Sequence, residues 1–155
     1  MGFTKGARDG VYQKRLDENS LLYFMCRPRM QSGQVLLEPL IAIENYELRR
    51  LIGEDEPKQS EPRFAHVFLS YTIDQDITFW SFSDTEGMNR AIGAIEGALQ
   101  KGGIPFAERW APFRAAVDLL RKGFKGDVPR GVFTHPTRSC QTVLKNLPET
   151  RDRIH

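Results

Sequence analysis

Cysteine is scarce: Cys26 and Cys140 stand alone among 155 residues, too few for a disulfide framework or a thiolate metal quartet. Three histidines accompany them, and the scattered positions match no zinc-ligand spacing. Long apolar runs are missing as well. The longest, residues 36–43, is broken by Glu38 and Pro39, far short of the roughly 20 residues a bilayer-crossing helix needs. No charged start leads into an apolar segment and cleavage site, and Gly6 stands where a myristoylation motif requires Ser or Thr. The glycines at 2, 6 and 10 do not form a dinucleotide fingerprint, and no Lys-Ser/Thr pair follows a glycine run. Internal repeats are absent. Together these gaps lead to the expectation of a soluble, cytoplasmic protein with no membrane segment, metal or cofactor.

What is present is an ordinary globular composition, 40% hydrophobic and 27% charged. The length suits one domain able to bury a core. We expect a single α+β domain over 1–155, with its core at about 10–122 and a basic extension over 123–155. The net charge of +2 hides an uneven distribution. Residues 1–30 carry six basic and three acidic groups, residues 31–120 eight and fourteen, and residues 121–155 eight and three. The middle is acidic and both ends are basic, an asymmetry able to steer a charged partner.

The first half has strand periodicity. Residues 11–16 form a short strand, 17–19 a turn, and 20–30 a longer strand rich in aromatic and aliphatic side chains. Ser32-Gly33 is a two-residue hairpin turn, and 34–43 the returning strand, which places Arg27 opposite Glu38. Pro28 and Pro39 cannot donate to a ladder, so they imply an edge or a bulge. Residues 46–52 read as a helix capped by Asn45 and closed by Gly53. Residues 54–63, with two prolines and no apolar residue, read as a loop. A second hairpin is expected from strands 64–73 and 77–82, joined at Asp74-Gln75-Asp76.

From Asp84, an N-cap candidate, the period becomes helical. Met88, Ala91, Ile92, Ile95, Ala98 and Leu99 share one stripe. Gly102-Gly103 should end that helix in the left-handed manner. Pro105 should open the next, whose stripe is Phe106, Trp110, Phe113, Val117 and Leu120, with a break at Pro112. The expected architecture is an antiparallel sheet of about five strands with two or three C-terminal helices packed on one face.

Catalytic constellations are thin. Asp74-x-Asp76 has the letters of a chelating pair, but aspartate is also a favoured turn residue. His135 and Cys140 lie close enough in sequence to suggest an imidazole-activated thiol, although no orienting carboxylate is nearby. His66 alternates with Phe64 and Phe68, the pattern of a half-buried histidine. Arg27, Arg29 and the basic tail could meet phosphates, with Tyr23, Phe24 or Trp80 as stacking surfaces; the acidic middle opposes nucleic-acid binding. A partner-binding surface is instead expected at Glu54, Asp55, Glu56 and Glu61 in the loop, with Asp74 and Asp76 at the turn, positions suited to recognition.

Four features occur in a fixed order: Gly2-Phe3-x-Lys5, two or three strands, Phe79-Trp80-Ser81-Phe82 before a helix, and Gly103-Ile104-Pro105-Phe106 between helices. This order resembles a family of small bacterial domains of unknown function found among the immunity proteins of polymorphic toxin systems. The resemblance spans residues 1–122; the basic stretch after Gly123 has no counterpart in it. It implies that Trp80 and Pro105-Phe106 serve packing and capping. It also implies a non-enzymatic protein that binds and neutralises a cognate protein toxin by occluding or distorting its active site. The competing readings are a small enzyme using His135 or His66 with Cys140, and a nucleic-acid-binding regulatory module.

Overall fold

Tight turns set the register of the first strands. The computed structural model describes residues 2–6, 9–51, 65–75, 77 and 79–121. Strands β1 (Thr4–Lys5), β2 (Val11–Arg15), β3 (Ser20–Gln31) and β4 (Gln34–Asn45) pair antiparallel in chain order. Asp17 Oδ1 accepts the Asn19 amide at 2.7 Å between β2 and β3, the local bond for which aspartate is favoured in turns. Ser32 and Gly33 both take positive φ, 50° and 75°, the turn geometry that matches strand twist. The β3–β4 ladder then runs unbroken from Gln31 opposite Gln34 to Ser20 opposite Asn45. Arg27 does face Glu38, as the turn predicts. Helix α1 (Tyr46–Leu51) follows directly, and Asn45 Oδ1 accepts the Glu47 and Leu48 amides at 2.9 and 3.1 Å.

The expected second hairpin does not form. Strand β5 (Ala65–Phe68) gives way to a 3₁₀ turn at Leu69–Ile73, and strand β6 is only Trp80–Phe82. Both lie antiparallel on β4, β5 against residues 40–43 and β6 against 35–37. They occupy one sheet edge in tandem, interrupted opposite Glu38 and Pro39. Hydrogen-bond parity explains the gap. The Tyr46 amide donates to Asn19 across β3–β4, and the Leu16 amide to Ser20 across β2–β3. Alternate residues aim their backbone groups at opposite neighbours. Odd-numbered β4 residues therefore face β5 and β6, and even-numbered β3 residues face β2. Pro39 lacks its donor where the edge track breaks, and Pro28 lacks its donor beyond the end of β2. Neither proline needs a bulge.

Asp74 closes the 3₁₀ turn in the left-handed conformation, φ 56°, so it is a cap and not the apex of a hairpin. The Gln75 amide returns to the Ser70 carbonyl at 3.0 Å, and the Ser70 hydroxyl donates to the Ile77 carbonyl. These bonds fold the excursion back toward β6.

Helix α2 (Thr85–Ala98) starts as expected, with Asp84 Oδ1 accepting the Gly87 amide at 2.6 Å. Its end differs. Gly102-Gly103 does not terminate it: Gly103 is right-handed, φ −64°, and Leu99–Gly103 forms a π-turn running into helix α3 (Ile104–Trp110). The glycines are needed for space. A methyl at Gly102 would overlap the Thr72 hydroxyl and lie 2.6 Å from Ile73 Cγ2; one at Gly103 would lie 2.8 Å from Leu69 Cδ1. Tertiary contact, not chain reversal, accounts for this pair. A short break at Ala111-Pro112 then leads to helix α4 (Phe113–Arg121).

The core lies between one sheet face and these helices. Leu22, Ile41, Ile43, Ala65 and Val67 pack with Ile95, Ala98, Leu99, Phe106, Ala107, Trp110 and Leu119. Ile92, assigned by spacing to the buried stripe, is 43% exposed. Among the described residues the chain therefore folds as α+β, a six-stranded antiparallel sheet with α2 and α3 packed on one face.

Candidate functional site

Of the six acidic residues expected to contact a partner, Asp74 alone is described; it is exposed. Glu54, Asp55, Glu56, Glu61 and Asp76 lie outside the described residues, as do His135 and Cys140. His66 is half-buried on β5, on the face opposite Ala65 and Val67, as strand alternation requires. Cys26 is partly buried, and desolvation raises its thiol pKa. Among the described residues no group of three or more His, Cys, Asp or Glu side chains is placed to hold a metal ion. No described helix is long and apolar enough to cross a membrane.

The sheet face opposite the core cluster carries a polar cluster that spacing did not reveal. Glu44 is 4% exposed and Arg49 9% exposed. Their carboxylate and guanidinium form an ion pair, and the Tyr23 hydroxyl donates to Glu44 Oε2 at 2.6 Å. Strand β4 supplies the acid, the first turns of α1 the base, and β3 the phenol. Register brings Tyr23 beside Ala42, which in turn pairs with His66. The clue in the sequence is a glutamate at a strand end followed five residues later by an arginine in a short helix. Only a chain reversal that aims both side chains at one face makes the pair.

A second polar knot joins the layers. The Ala111 carbonyl, left open where Pro112 follows, accepts from Ser20 Oγ at 3.1 Å and Asn45 Nδ2 at 3.0 Å. Orphan carbonyls at a helix end need such partners, and these two come from the base of the β3–β4 hairpin.

The opposite end of that hairpin is exposed. Arg29 reaches diagonally to Glu38 at 2.9 Å, taking the ion pair that register alone assigns to Arg27. Met30 is 70% exposed. Ile77 and Phe79, preceding β6, are also exposed; since Trp80 pairs with Leu37 and Phe82 with Val35, they lie toward Glu38 and away from the hairpin tip. A shallow cleft of about 400 Å³ runs between β6 and α2, lined by Gln34, Trp80, Ser81, Asp84 and Arg90 among others. A smaller pocket of about 200 Å³ opens beside the π-turn.

Trp80 and Phe106 pack against or within the core, and Pro105 sits in the first turn of α3. The structure places Trp80 opposite Leu37 at the start of β6 and Pro105-Phe106 at the π-turn pocket. No protein-family model, curated protein or solved structure matches the chain.

Proposed function

We propose that this chain is a non-enzymatic, immunity-type binding protein that neutralises a cognate protein toxin in the cytoplasm. The observation that carries the reading is the exposure of Arg27, Arg29 and Met30 on the β3–β4 hairpin and of Ile77 and Phe79 in the segment leading into β6. Methionine, arginine and aromatic side chains are the types enriched at protein interfaces, and anchors of this kind dominate binding energy. The β3–β4 ladder holds Arg27, Arg29 and Met30, so little ordering of these is needed on association. The order of motifs across residues 1–122 supports the same reading, since its resemblance is to toxin-neutralising domains. The acidic residues Glu54, Asp55 and Glu56 are proposed to add charge complementarity toward a basic patch of the partner.

The test is co-purification and calorimetry with the toxin candidate encoded by the adjacent gene, together with protection of cells expressing it. Met30→Asp and Phe79→Asp should each weaken the complex at least tenfold, equivalent to about 1.4 kcal/mol. Charge reversal of Glu54, Asp55 and Glu56 to Lys should lower affinity and flatten its salt dependence. Absence of both complex and protection overturns the reading; unchanged affinity in the aspartate variants moves the interface elsewhere.

A further inference from the structure

The outer edge of β3 is only partly used. Strand β2 pairs with it from Leu21 to Met25, and one further bond, from the Cys26 amide to the Gly10 carbonyl at 3.4 Å, ends the ladder. Gly10 takes φ 76° there, in the turn that leads back to β1. Beyond this point residues 27–31 pair with β4 on their inner side, and all of them are exposed. No described strand pairs with them on the outer side.

Strand parity defines what this edge offers. Even-numbered β3 residues aim their backbone groups outward. Met30 therefore presents an amide and a carbonyl, and Pro28 a carbonyl alone. An unpaired edge of this kind is a template for another strand. Because Pro28 withholds a donor, only Met30 can exchange both bonds with an incoming residue, which fixes the register. The side chains alternate as well, with Arg27 and Arg29 on one face and Pro28 and Met30 on the other. Arg29 reaches Glu38 at 2.9 Å, while Arg27 is exposed and holds no ion pair among the described residues. Along the open stretch two arginines thus face one glutamate, an excess of positive charge.

We propose that the open edge of β3 over 27–31 receives an extended acidic segment of a partner protein as an added antiparallel strand. It would occupy the track that β2 leaves, as β5 and β6 share the edge of β4. In strand addition, main-chain bonds give affinity and alternate side chains give specificity. The segment alternates acidic and apolar residues: the acidic ones oppose Arg27 and Arg29, and an apolar one pairs with Met30, which is 70% exposed. A second copy is the poorer occupant. Antiparallel pairing about Pro28 sets Arg27 against Arg29 of the other chain, and like charges directly opposite are destabilising. The proposal rests on the binding reading for its partner, the toxin, and concerns a different part of it from the basic patch facing Glu54, Asp55 and Glu56.

The experiment is an NMR titration of the ¹⁵N-labelled full chain with a short blocked peptide of alternating glutamate and valine. Saturable shifts centred on Met30, with slower hydrogen exchange of its amide, are expected. The corresponding lysine–valine peptide should not bind. The valine backbone faces Met30 in this register, so N-methylation of the valines should abolish binding, whereas N-methylation of the glutamates should leave it. Met30→Pro removes the outward donor and no bond of the β4 ladder. It should weaken binding about tenfold or more, the scale of a lost hydrogen bond whose partner stays unpaired. Arg27→Glu should do the same, and decides the matter if Met30→Pro disturbs the fold. No saturable shift, equal binding of the lysine–valine peptide, or equal loss on methylating either set overturns the proposal. So does a dimer of the chain alone that is lost in Met30→Pro, which assigns the edge to a second copy. The titration needs no toxin: a toxin complex unaffected by Met30→Pro refutes the edge and keeps the binding reading. Peptide binding without any toxin complex does the reverse.

Discussion

Arg49 and Glu44 show how much depends on single buried partners. With the pair 9% and 4% exposed, removing one member leaves a charge stranded away from water. Arg49→Met should therefore destabilise by about 3–5 kcal/mol, read from urea unfolding. The double variant Glu44→Gln/Arg49→Met should cost less than the two single changes combined, because neither leaves a lone charge. At Gly102 the constraint is volume: Ala should cost about 1–3 kcal/mol, as overpacking does, since Thr72 and Ile73 must shift. Cys26 gives a pH prediction. Burial raises its thiol above the ordinary value of 9.0, so folding favours the neutral form. Its contribution is complete below the unfolded thiol's value and is lost as pH rises through the folded one. Cys26→Ala should flatten that alkaline decline in an unfolding series from pH 7 to 10.5.

At the scale of elements, the turns and the helix interior carry opposite predictions. Gly33 holds φ 75°, and Ala there should cost about 1–2 kcal/mol while loosening the hairpin register. Gly93 lies inside α2 with nothing within 4 Å of an added Cβ. Gly93→Ala should thus stabilise by about 1 kcal/mol, seen as a higher urea midpoint at unchanged slope. The edge track illustrates why strand prediction overshot. Residues 64–73 are apolar enough for a strand, but the ladder on β4 offers no donor at Pro39. The chain leaves the edge there and makes local 3₁₀ bonds in place of sheet bonds.

For the molecule as a whole, the Ser20–Asn45–Ala111 knot couples the sheet to the helical layer. Asn45 also caps α1, so Asn45→Ala should cost about 2 kcal/mol, combining a lost cap and one lost bond to the Ala111 carbonyl, which keeps Ser20. Trp80 reports on the sheet edge and Trp110 on the helical layer. Single-tryptophan forms should unfold at one midpoint in the parent. Separate midpoints in Asn45→Ala would identify this knot as the joint that makes the two layers cooperative.

The residue pattern alone determined the strand–turn–strand order of residues 11–45, the Asn45 and Asp84 caps, and the α+β architecture; the two-residue β1 carried no such pattern. Each depends on neighbours in sequence: period-two apolarity, a positive-φ turn, a side chain reaching two or three residues ahead. Tertiary structure decided the tandem edge of β5 and β6, the continuous helix through Gly102-Gly103, and the exposure of Ile92. It also decided the meeting of Tyr23 with Glu44. Each of these depends on which distant backbone offers a hydrogen bond, or how closely another segment approaches. A glycine pair reads locally as a stop, and only the Thr72 and Leu69 side chains pressed against it turn it into a site of contact.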